Sequence, residues 1–325
     1  MKRTLAPLAL FSFALTLTGG GYGTVEVVES YDAALGQLPE GVAVKPVGPD
    51  KGDIYVSLAA TGELRRIDGK TYVGETLANF DVGAGFLLGM AFDQDELYVA
   101  LASFVPETSG IWHVDDDGQI QRVVDLQGFP NDLTFDDEGN MYITESITGS
   151  VYRVAAGSNI PELLVQDPLL VGDVDVSPVP FPIGANGITY DDETESVLVA
   201  NSQVPAIIEI PLDDDGSPLS VDVVAAGENL RGADGIALGK SGDVYVVSNF
   251  NSTLSRVDRN SGAAEVIADG DDGLVFPATV AFGQHGPDKK AVFVTNFGFG
   301  AGPQAPVSLL RIDVDEKGEK VPAGT

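Results

Sequence analysis

The hydrophobic positions of this 325-residue chain fall into short runs, and one arrangement of these runs repeats six times. Each copy opens with three or four apolar-rich residues and continues through a turn to a second run rich in Val, Ile and Tyr. A third run and a less regular fourth run follow. Runs of this composition between turn residues favour β-strands. Four short strands per unit are typical of a β-propeller blade.

The six copies share an anchor residue, which we define as the residue that opens the first run and which glycine follows in four copies. Successive anchors are separated by 48, 43, 55, 48 and 44 residues. The anchors are Glu40, Leu88, Asn131, Asn186, Asp234 and Ala278. The second runs cover residues 53–57, 96–100, 140–144, 196–200, 243–247 and 291–295.

No segment has a sustained helical period with caps at both ends, and 39 Gly and 19 Pro supply frequent turns. The pattern therefore predicts an all-β chain that forms one six-bladed β-propeller over residues 23–325. The sixth copy ends near Asp313, whereas residues 24–30 form an unassigned strand ahead of the first copy. We expect this strand to become the outer strand of the last blade, because that pairing closes the ring and removes an exposed edge.

Residues 1–22 have the order of a secretory signal peptide. Lys2 and Arg3 precede an apolar run over residues 5–17, and a glycine-rich stretch follows. The run is too short to span a bilayer comfortably. We expect a secreted or periplasmic protein, with an uncleaved membrane tether as the alternative because no A-x-A-type cleavage site is present.

The charge of the chain restricts its partners. The sequence has 49 acidic and 18 basic residues and a net charge of −31, which repels nucleic acid and anionic membrane surfaces. Apart from the N-terminal run, no segment could cross a membrane, and the absence of cysteine excludes disulfides and thiolate metal sites. We therefore do not expect nucleic acid as a partner. We expect a small-molecule substrate, because the polar anchors offer a metal ion too few ligands and leave room for a substrate oxygen. The sequence contains no signal for an oligomeric state.

Polar anchors are expected to converge on the axis of the ring. The first strand of a blade runs along the channel and the second returns to the same face, so anchors and second-strand ends share a rim. Carboxylate and amide oxygens suit Ca²⁺ first, with Mg²⁺, Mn²⁺ or Zn²⁺ as alternatives. For a single Asn or Asp beside Gly, ordinary turn formation is the competing interpretation. The predicted ligands of one divalent ion are Glu40, Asn131, Asn186 and Asp234.

The ends of the second strands supply further candidates on the same rim. Glu145 could accept a proton during catalysis, or it could be a solvated rim acid. Asn201, Asn249 and Asn296 could contact substrate hydroxyls, or they could serve as turn residues. Asp132 follows Asn131 in a strand, so we expect its side chain to point between blades and to have a structural role.

Four tripeptides around the anchors resemble those of the senescence marker protein, gluconolactonase and regucalcin-like family and, more distantly, the paraoxonases. The resemblance spans nearly all of the chain after residue 22. These tripeptides, in the family's order and at similar separations, are Pro39-Glu40-Gly41, Pro130-Asn131-Asp132, Ala185-Asn186-Gly187 and Ala233-Asp234-Gly235.

This resemblance implies a six-bladed propeller and a catalytic metal held by Glu40, Asn186 and Asp234. Asn131 would be a further ligand or a substrate contact. It also implies hydrolysis of lactones, or of organophosphate esters as in related members, with Asp234 assisting water. Alternatively, Asp234 only holds the metal and Glu145 handles the proton.

Two function classes follow from these observations. The first is an exported metal-dependent hydrolase of lactones or similar small esters. The second is a non-enzymatic propeller of the NHL-repeat type that binds a ligand or partner, with a structural Ca²⁺. A condensing activity like that of strictosidine synthase is a weaker third.

The Pro- and Gly-rich loops over residues 161–182 and 297–306 are predicted to form a lid or selectivity wall.

Overall fold

A computed structural model describes residues 23–319 of the chain, and in this range 24 strands form six four-stranded antiparallel sheets. The sheets are arranged as the blades of one ring, which confirms the predicted all-β six-bladed propeller. Residues 1–22, the predicted signal peptide, lie outside the described residues, as do residues 320–325. Between residues 23 and 319, none of the helices is long and apolar enough to cross a membrane.

The first three blades follow one another along the chain, each from its innermost to its outermost strand. Blade 1 consists of β2 (Pro39–Val44), β3 (Ile54–Leu58), β4 (Glu63–Ile67) and β5 (Gly74–Asn79). Blade 2 consists of β6 (Phe86–Asp93), β7 (Glu96–Ala102), β8 (Gly110–Val114) and β9 (Ile120–Asp125). Blade 3 consists of β10 (Pro130–Phe135), β11 (Met141–Glu145), β12 (Ser150–Val154) and β13 (Glu162–Gln166).

The remaining blades repeat this order until the last, which recruits a strand from the start of the described chain. Blade 4 consists of β14 (Ala185–Asp191), β15 (Ser196–Asn201), β16 (Ala206–Pro211) and β17 (Asp222–Ala226). Blade 5 consists of β18 (Ala233–Leu238), β19 (Val244–Ser248), β20 (Thr253–Asp258) and β21 (Ala263–Ala268). Blade 6 consists of β22 (Pro277–Phe282), β23 (Ala291–Asn296), β24 (Ser308–Asp313) and β1 (Val25–Ser30).

Short 3-10 helices occupy several connections. They cover Ala33–Leu35, Pro168–Leu170, Val174–Val176, Glu228–Leu230, Gly270–Asp272 and Gly286–Lys290. Two of them lie in the connection between blades 3 and 4, within the segment 161–182 that the sequence predicted as a loop. That prediction was wrong for the start of this segment, because β13 pairs with β12 there and completes blade 3.

Pairing between β1 and β24 closes the ring. Val25 lies opposite Ile312 and Ser30 lies opposite Ser308 in an antiparallel ladder, which confirms the predicted role of this strand. Glu29 of β1 also contacts Arg65 of blade 1 at 2.5 Å. The N-terminal strand therefore covers the edge of β24 and ties the last blade to the first.

Six apolar clusters fill the spaces between neighbouring blades, one at each interface. Successive side chains of a strand point to opposite faces of its sheet, so each blade contributes to two clusters. In β3, Tyr55 packs toward blade 2, whereas Ile54 and Val56 pack toward blade 6. The core is thus distributed around the ring, and the central channel is left for other side chains.

Every innermost strand begins with a β-bulge at its anchor residue. In blade 1, Pro39 pairs with Leu58 and Val42 pairs with Val56, so one extra residue is inserted on β2. The same shift occurs in the other five blades. Because a bulge re-aims the inserted side chain, it sets the direction of the anchor.

Buried hydroxyl groups fasten three of these bulges to the next blade. Ser57 Oγ accepts a hydrogen bond from Gly41 N at 2.7 Å and donates to the carbonyl of Leu88 at 2.8 Å. Thr144 forms the same bridge from blade 3 to the carbonyl of Asn186, and Thr295 forms it from blade 6 to the carbonyl of Glu40. Each hydroxyl therefore holds two backbones in register where they approach most closely.

We expect the Ser57→Ala variant to be destabilised by about 1–3 kcal/mol, because a buried N–H and a buried carbonyl lose their partner. Urea unfolding followed by circular dichroism measures the effect. Ser220→Ala is the matched control, since Ser220 is exposed and its hydroxyl donates to the exposed carboxylate of Asp222. Its effect should be within about 0.5 kcal/mol. Equal stability of the two variants would contradict the bridging role.

Candidate functional site

The polar anchors meet in a cavity at one end of the central channel. Its lining includes all four predicted metal ligands, together with Leu88, the anchor of blade 2. The cavity has a volume of about 70 Å³. The four polar anchors, each at most 6% exposed, are Glu40, Asn131, Asn186 and Asp234.

Glycine after the anchor allows neighbouring blades to approach at this site. A Cβ atom on Gly187 would lie 2.3 Å from the carbonyl oxygen of Asp234, and one on Gly235 would lie 2.5 Å from Cα of Thr279. The Asn-Gly and Asp-Gly pairs therefore do not form tight turns here, since both lie within strands. The glycines leave room for the adjacent bulge, and the bulges direct Asn186 and Asp234 toward the axis.

The two anchor amides present oxygen to the cavity because their nitrogens are already engaged. Asn131 Nδ2 donates to Ser146 Oγ at 2.9 Å, and Asn186 Nδ2 donates to Ser202 Oγ at 2.8 Å. Both serines donate in turn to backbone carbonyls of the next blade. The serines thus orient the amides, and the carbonyl oxygens of Asn131 and Asn186 remain available as ligands.

The two carboxylates have few hydrogen-bond donors. Asn249 Nδ2 donates to Asp234 Oδ2 at 3.0 Å. Glu40 Oε2 and Asn249 Oδ1 are buried and have no hydrogen-bond partner among residues 23–319. Buried acceptors are normally paired, so two unpaired oxygens in one small cavity fit the binding of a cation or of a hydrogen-bond donor there.

The electrostatics of the site lead to the same conclusion. Burial raises the pKa of Asp234 to about 8, although hydrogen bonds from Asn249 and Asn186 act in the opposite direction. Burial, and next the negative charge of Asp234, raise the pKa of Glu40 well above its usual value. No Lys or Arg is among the described residues that line the cavity. A bound dication would supply the positive charge that would balance these two buried carboxylates.

The donor set fits a hard cation. Two carboxylates and two or three amide oxygens suit Ca²⁺, whereas Zn²⁺ sites usually contain His or Cys. Over residues 23–319, no group of three or more His, Asp and Glu side chains is placed to hold a metal. A metal site at these anchors would therefore combine carboxylates with amides, and water and substrate oxygens could complete its coordination.

Three of the predicted rim residues have other contacts. Glu145 accepts hydrogen bonds from the backbone N–H groups of Phe129, Ile147 and Thr148. Asn201 donates to the carbonyls of Leu169 and Val171. These contacts hold turns and rim loops in place, and they do not support the predicted catalytic role of Glu145 or substrate contact by Asn201.

Asn296 has the same structural position in blade 6. It donates to the carbonyls of Gly273 and Pro306 and accepts from the N–H of Val275. Neither Asn296, Asn201 nor Glu145 lines the cavity, whereas Asn249 does. Of the four second-strand candidates, the structure thus brings only Asn249 to the polar anchors.

Asp132 bridges blades 3 and 4, which confirms its predicted structural role. Its carboxylate accepts hydrogen bonds from Leu133 N and Ile188 N, and it fills the space above Gly89 of blade 2. Burial raises its pKa to about 7. It lines a second cavity of about 160 Å³ toward the opposite end of the channel. That cavity is larger but mostly aliphatic, and it lacks the converging oxygens of the first.

Several residues of the site escaped the sequence analysis. Ser146 and Ser202 follow directly after second strands, and their repetition after Glu145 and Asn201 is a signal that could have identified them. Gln203 also lines the cavity, and its Nε2 is buried without a hydrogen-bond partner in the described part of the chain. Seven of the 18 lining residues are phenylalanines from different blades and loops, for which the sequence contains no motif.

Comparison with known proteins gives matches by structure. No family model and no curated protein sequence matches this chain. The fold is similar to that of a luciferin-regenerating enzyme, with a TM-score of 0.69 and 16% sequence identity, covering 93% of this chain and 99% of the other.

Two further similar structures carry names from the predicted family. One is a calcium-binding protein, regucalcin, from Agrobacterium tumefaciens, with a TM-score of 0.68 and 18% identity over 94% of this chain and 97% of the other. The other is a gluconolactonase from Xanthomonas campestris, with a TM-score of 0.67 and 15% identity over 90% and 89%. The structural neighbours are thus regucalcin-like and gluconolactonase-like propellers, as the resemblance predicted, and at these identities they establish the shared fold.

We expect Ca²⁺ to raise the melting temperature of the wild-type protein, and Glu40→Gln to reduce Ca²⁺ affinity at least about tenfold. The substitution keeps the shape of the side chain but removes one of two ligand charges. Without metal, the variant should be as stable as the wild type or more stable, since a buried unpaired carboxylate is removed. Calorimetric titration and thermal unfolding measure both effects.

Glu75→Gln is the matched control for this substitution, because Glu75 is exposed on the outer strand β5. Its affinity for Ca²⁺ should equal that of the wild type. An equal thermal response to Ca²⁺ in the wild type and Glu40→Gln would place the metal elsewhere.

Glu145→Ala should lower the free energy of unfolding by about 1–3 kcal/mol, because the buried N–H of Phe129 and the partly buried N–H groups of Ile147 and Thr148 lose their acceptor. Its Ca²⁺ affinity should remain within roughly twofold of the wild type, as expected for residues without shared contacts. Urea unfolding and calorimetric titration test the two parts. A large loss of Ca²⁺ affinity at unchanged stability would restore Glu145 to the site.

Proposed function

We propose that this chain is an exported, metal-dependent hydrolase of lactones or similar small esters. The observation that carries the proposal is the convergence of buried acceptor oxygens without partners at the base of a cavity. A site of this kind binds a cation and leaves room for a substrate oxygen, which a purely structural site would not need. The likeness of the fold to a gluconolactonase and to a calcium-binding regucalcin supports the proposal.

Glu40, Asn186 and Asp234 would hold the metal, and Asn131 would act as a further ligand or contact the substrate. Ca²⁺ is the proposed ion. When bound, the ion would polarise the carbonyl oxygen of the substrate and stabilise the negative charge that develops there. Ser146 and Ser202 fix the orientation of the Asn131 and Asn186 amides, so the carbonyl oxygens of these amides would meet the ion without reorganisation.

Asp234 is the proposed proton acceptor. Asn249 holds Oδ2 of the carboxylate, so the side chain has a fixed orientation and Oδ1 can face a water molecule. As the water oxygen bonds to the carbonyl carbon, its proton passes to Asp234. The ring carbon–oxygen bond then breaks, and the proton passes from Asp234 to the leaving alkoxide. The product is a hydroxy acid, and Asp234 is regenerated.

We expect Asp234→Asn to lower kcat/KM for a reactive lactone by about 10²- to 10⁴-fold, because proton transfer is lost together with one ligand charge. A pH-stat assay measures hydrolysis after Ca²⁺ loading. Asp95→Asn, in an exposed turn of blade 2, is the matched control and should retain wild-type activity. Removing Ca²⁺ with a chelator should abolish wild-type activity, and adding Ca²⁺ should restore it.

Two results would contradict the proposal. Hydrolysis that persists unchanged in chelator would exclude the metal from the reaction. Folded, Ca²⁺-binding protein that hydrolyses no lactone or ester would support the ligand-binding propeller with a structural ion instead.

A further inference from the structure

The cavity has a polar base and an apolar wall. Eleven of its 18 lining residues are apolar, and seven of the 15 phenylalanines in the chain are among them. Aromatic side chains bury large apolar areas and rarely gather on an accessible surface without a ligand to cover. The composition of this wall therefore carries information about the substrate that the polar anchors do not.

One part of the wall belongs to blades 2 and 3 and to the loop that precedes blade 4. Phe129 packs against Phe86 and Phe181, with ring centroids 6.2 and 5.2 Å apart. Phe104, which is 47% exposed, extends this group outward through its contacts with Phe129 and Phe181. Phe181 comes from the loop that the sequence predicted as a selectivity wall.

The second part of the wall belongs to blades 5 and 6. Phe276 contacts Phe250 at 5.7 Å and Phe299 at 6.0 Å, and Phe297 stacks on Phe299 at 5.4 Å. In a six-bladed ring, blades 2 and 3 lie across the axis from blades 5 and 6. The two phenylalanine groups thus face each other over the polar anchors.

The wall has little capacity for hydrogen bonding. Among the described residues that line the cavity there is no Lys, Arg, His, Tyr or Trp. Of the two polar residues above the anchors, Ser202 already accepts a hydrogen bond from Asn186. Gln203 contributes one buried donor, Nε2, that has no partner among the described residues. The several hydroxyls of a sugar lactone would lose their water partners here without replacement, and each unpaired group opposes binding.

We propose that the substrates are lactones or esters that carry an apolar alkyl or aryl group, and not polyhydroxylated sugar lactones. This inference rests on the proposed hydrolytic function, because it takes the base of the cavity as the place of reaction. The carbonyl group lies at the polar anchors and the apolar substituent extends between the two phenylalanine groups. Phe181 and Phe299, one from each group, are specificity-determining residues.

The test uses three six-membered lactones that differ only in their alkyl substituent: δ-valerolactone, δ-octalactone and δ-decalactone. Their rates of hydrolysis are compared with that of glucono-δ-lactone. Rates are measured with Ca²⁺-loaded full-length protein and corrected for spontaneous hydrolysis. We expect kcat/KM to rise roughly threefold to fourfold for each methylene that enters the cavity, and the sugar lactone to be the poorest substrate.

Substitutions test whether the phenylalanine groups cause this preference. Phe181→Ser and Phe299→Ser should each reduce the ratio of the δ-decalactone rate to the δ-valerolactone rate by about tenfold or more, since a fully apolar contact is lost. Ile160→Ser, which removes an exposed apolar side chain (65% exposed) outside the cavity lining, should leave the ratio unchanged. An unchanged ratio in both phenylalanine variants would overturn their role.

Binding of cyclohexanone and 2-pentylcyclohexanone, which cannot be hydrolysed, is measured by calorimetry alongside the rates. We expect 2-pentylcyclohexanone to bind more tightly than cyclohexanone, and we expect the Phe181→Ser substitution to weaken binding of the pentyl compound. If glucono-δ-lactone is hydrolysed faster than δ-decalactone, the substrate class is overturned and the hydrolytic function stands. If no lactone is hydrolysed but the pentyl ketone binds more tightly, the hydrolytic function is overturned and the apolar ligand chemistry stands. If no lactone is hydrolysed and the pentyl ketone does not bind more tightly, the hydrolytic function and the apolar ligand chemistry are both overturned.

Discussion

The β-bulge at the start of each innermost strand is the constraint on which the site depends. One inserted residue directs the anchor side chains of blades 1 to 5 into the cavity on the axis. The buried hydroxyls of Ser57, Thr144 and Thr295 bind the bulge of one blade to the backbone of the next. Because these contacts run between blades, the position of one anchor depends on its neighbour. The glycines after Asn186 and Asp234 permit this close approach. The geometry of the site is therefore a property of the whole ring.

The ring separates stability from function. Apolar clusters between the blades bury most of the aliphatic side chains, so the channel is free to hold polar groups that add no packing. Two carboxylates and several amides are thus kept in a low-dielectric environment, where a bound cation would interact strongly with them. The same fold places the phenylalanines of rim loops above this polar base. The site has a charged half and an apolar half because the polar anchors come from strand starts, whereas most of the phenylalanines come from loops.

The fold and the polar anchors could be predicted because they repeat. Six copies of one strand pattern indicated the blades, and the positions of Glu40, Asn131, Asn186 and Asp234 within the pattern indicated a common axis. At the ends of the second strands, position in the repeat did not predict which side chains reach the polar anchors. Glu145, Asn201 and Asn296 share the rim with Asn249, yet their side chains bind the backbone of adjacent turns and loops. Which of these polar groups would be satisfied locally depends on loop conformations that the repeat does not encode.

By itself, the sequence determined the all-β architecture, the number of blades, the closing strand and the set of polar anchors, because each follows from a spacing along the chain. Only the tertiary structure decided that Asn249 joins the anchors, that Ser146 and Ser202 orient the amides, and that seven phenylalanines form one wall. These features join residues from different blades and loops. Their contacts are set by packing around the ring, and no local pattern of hydrophobic and polar residues records them.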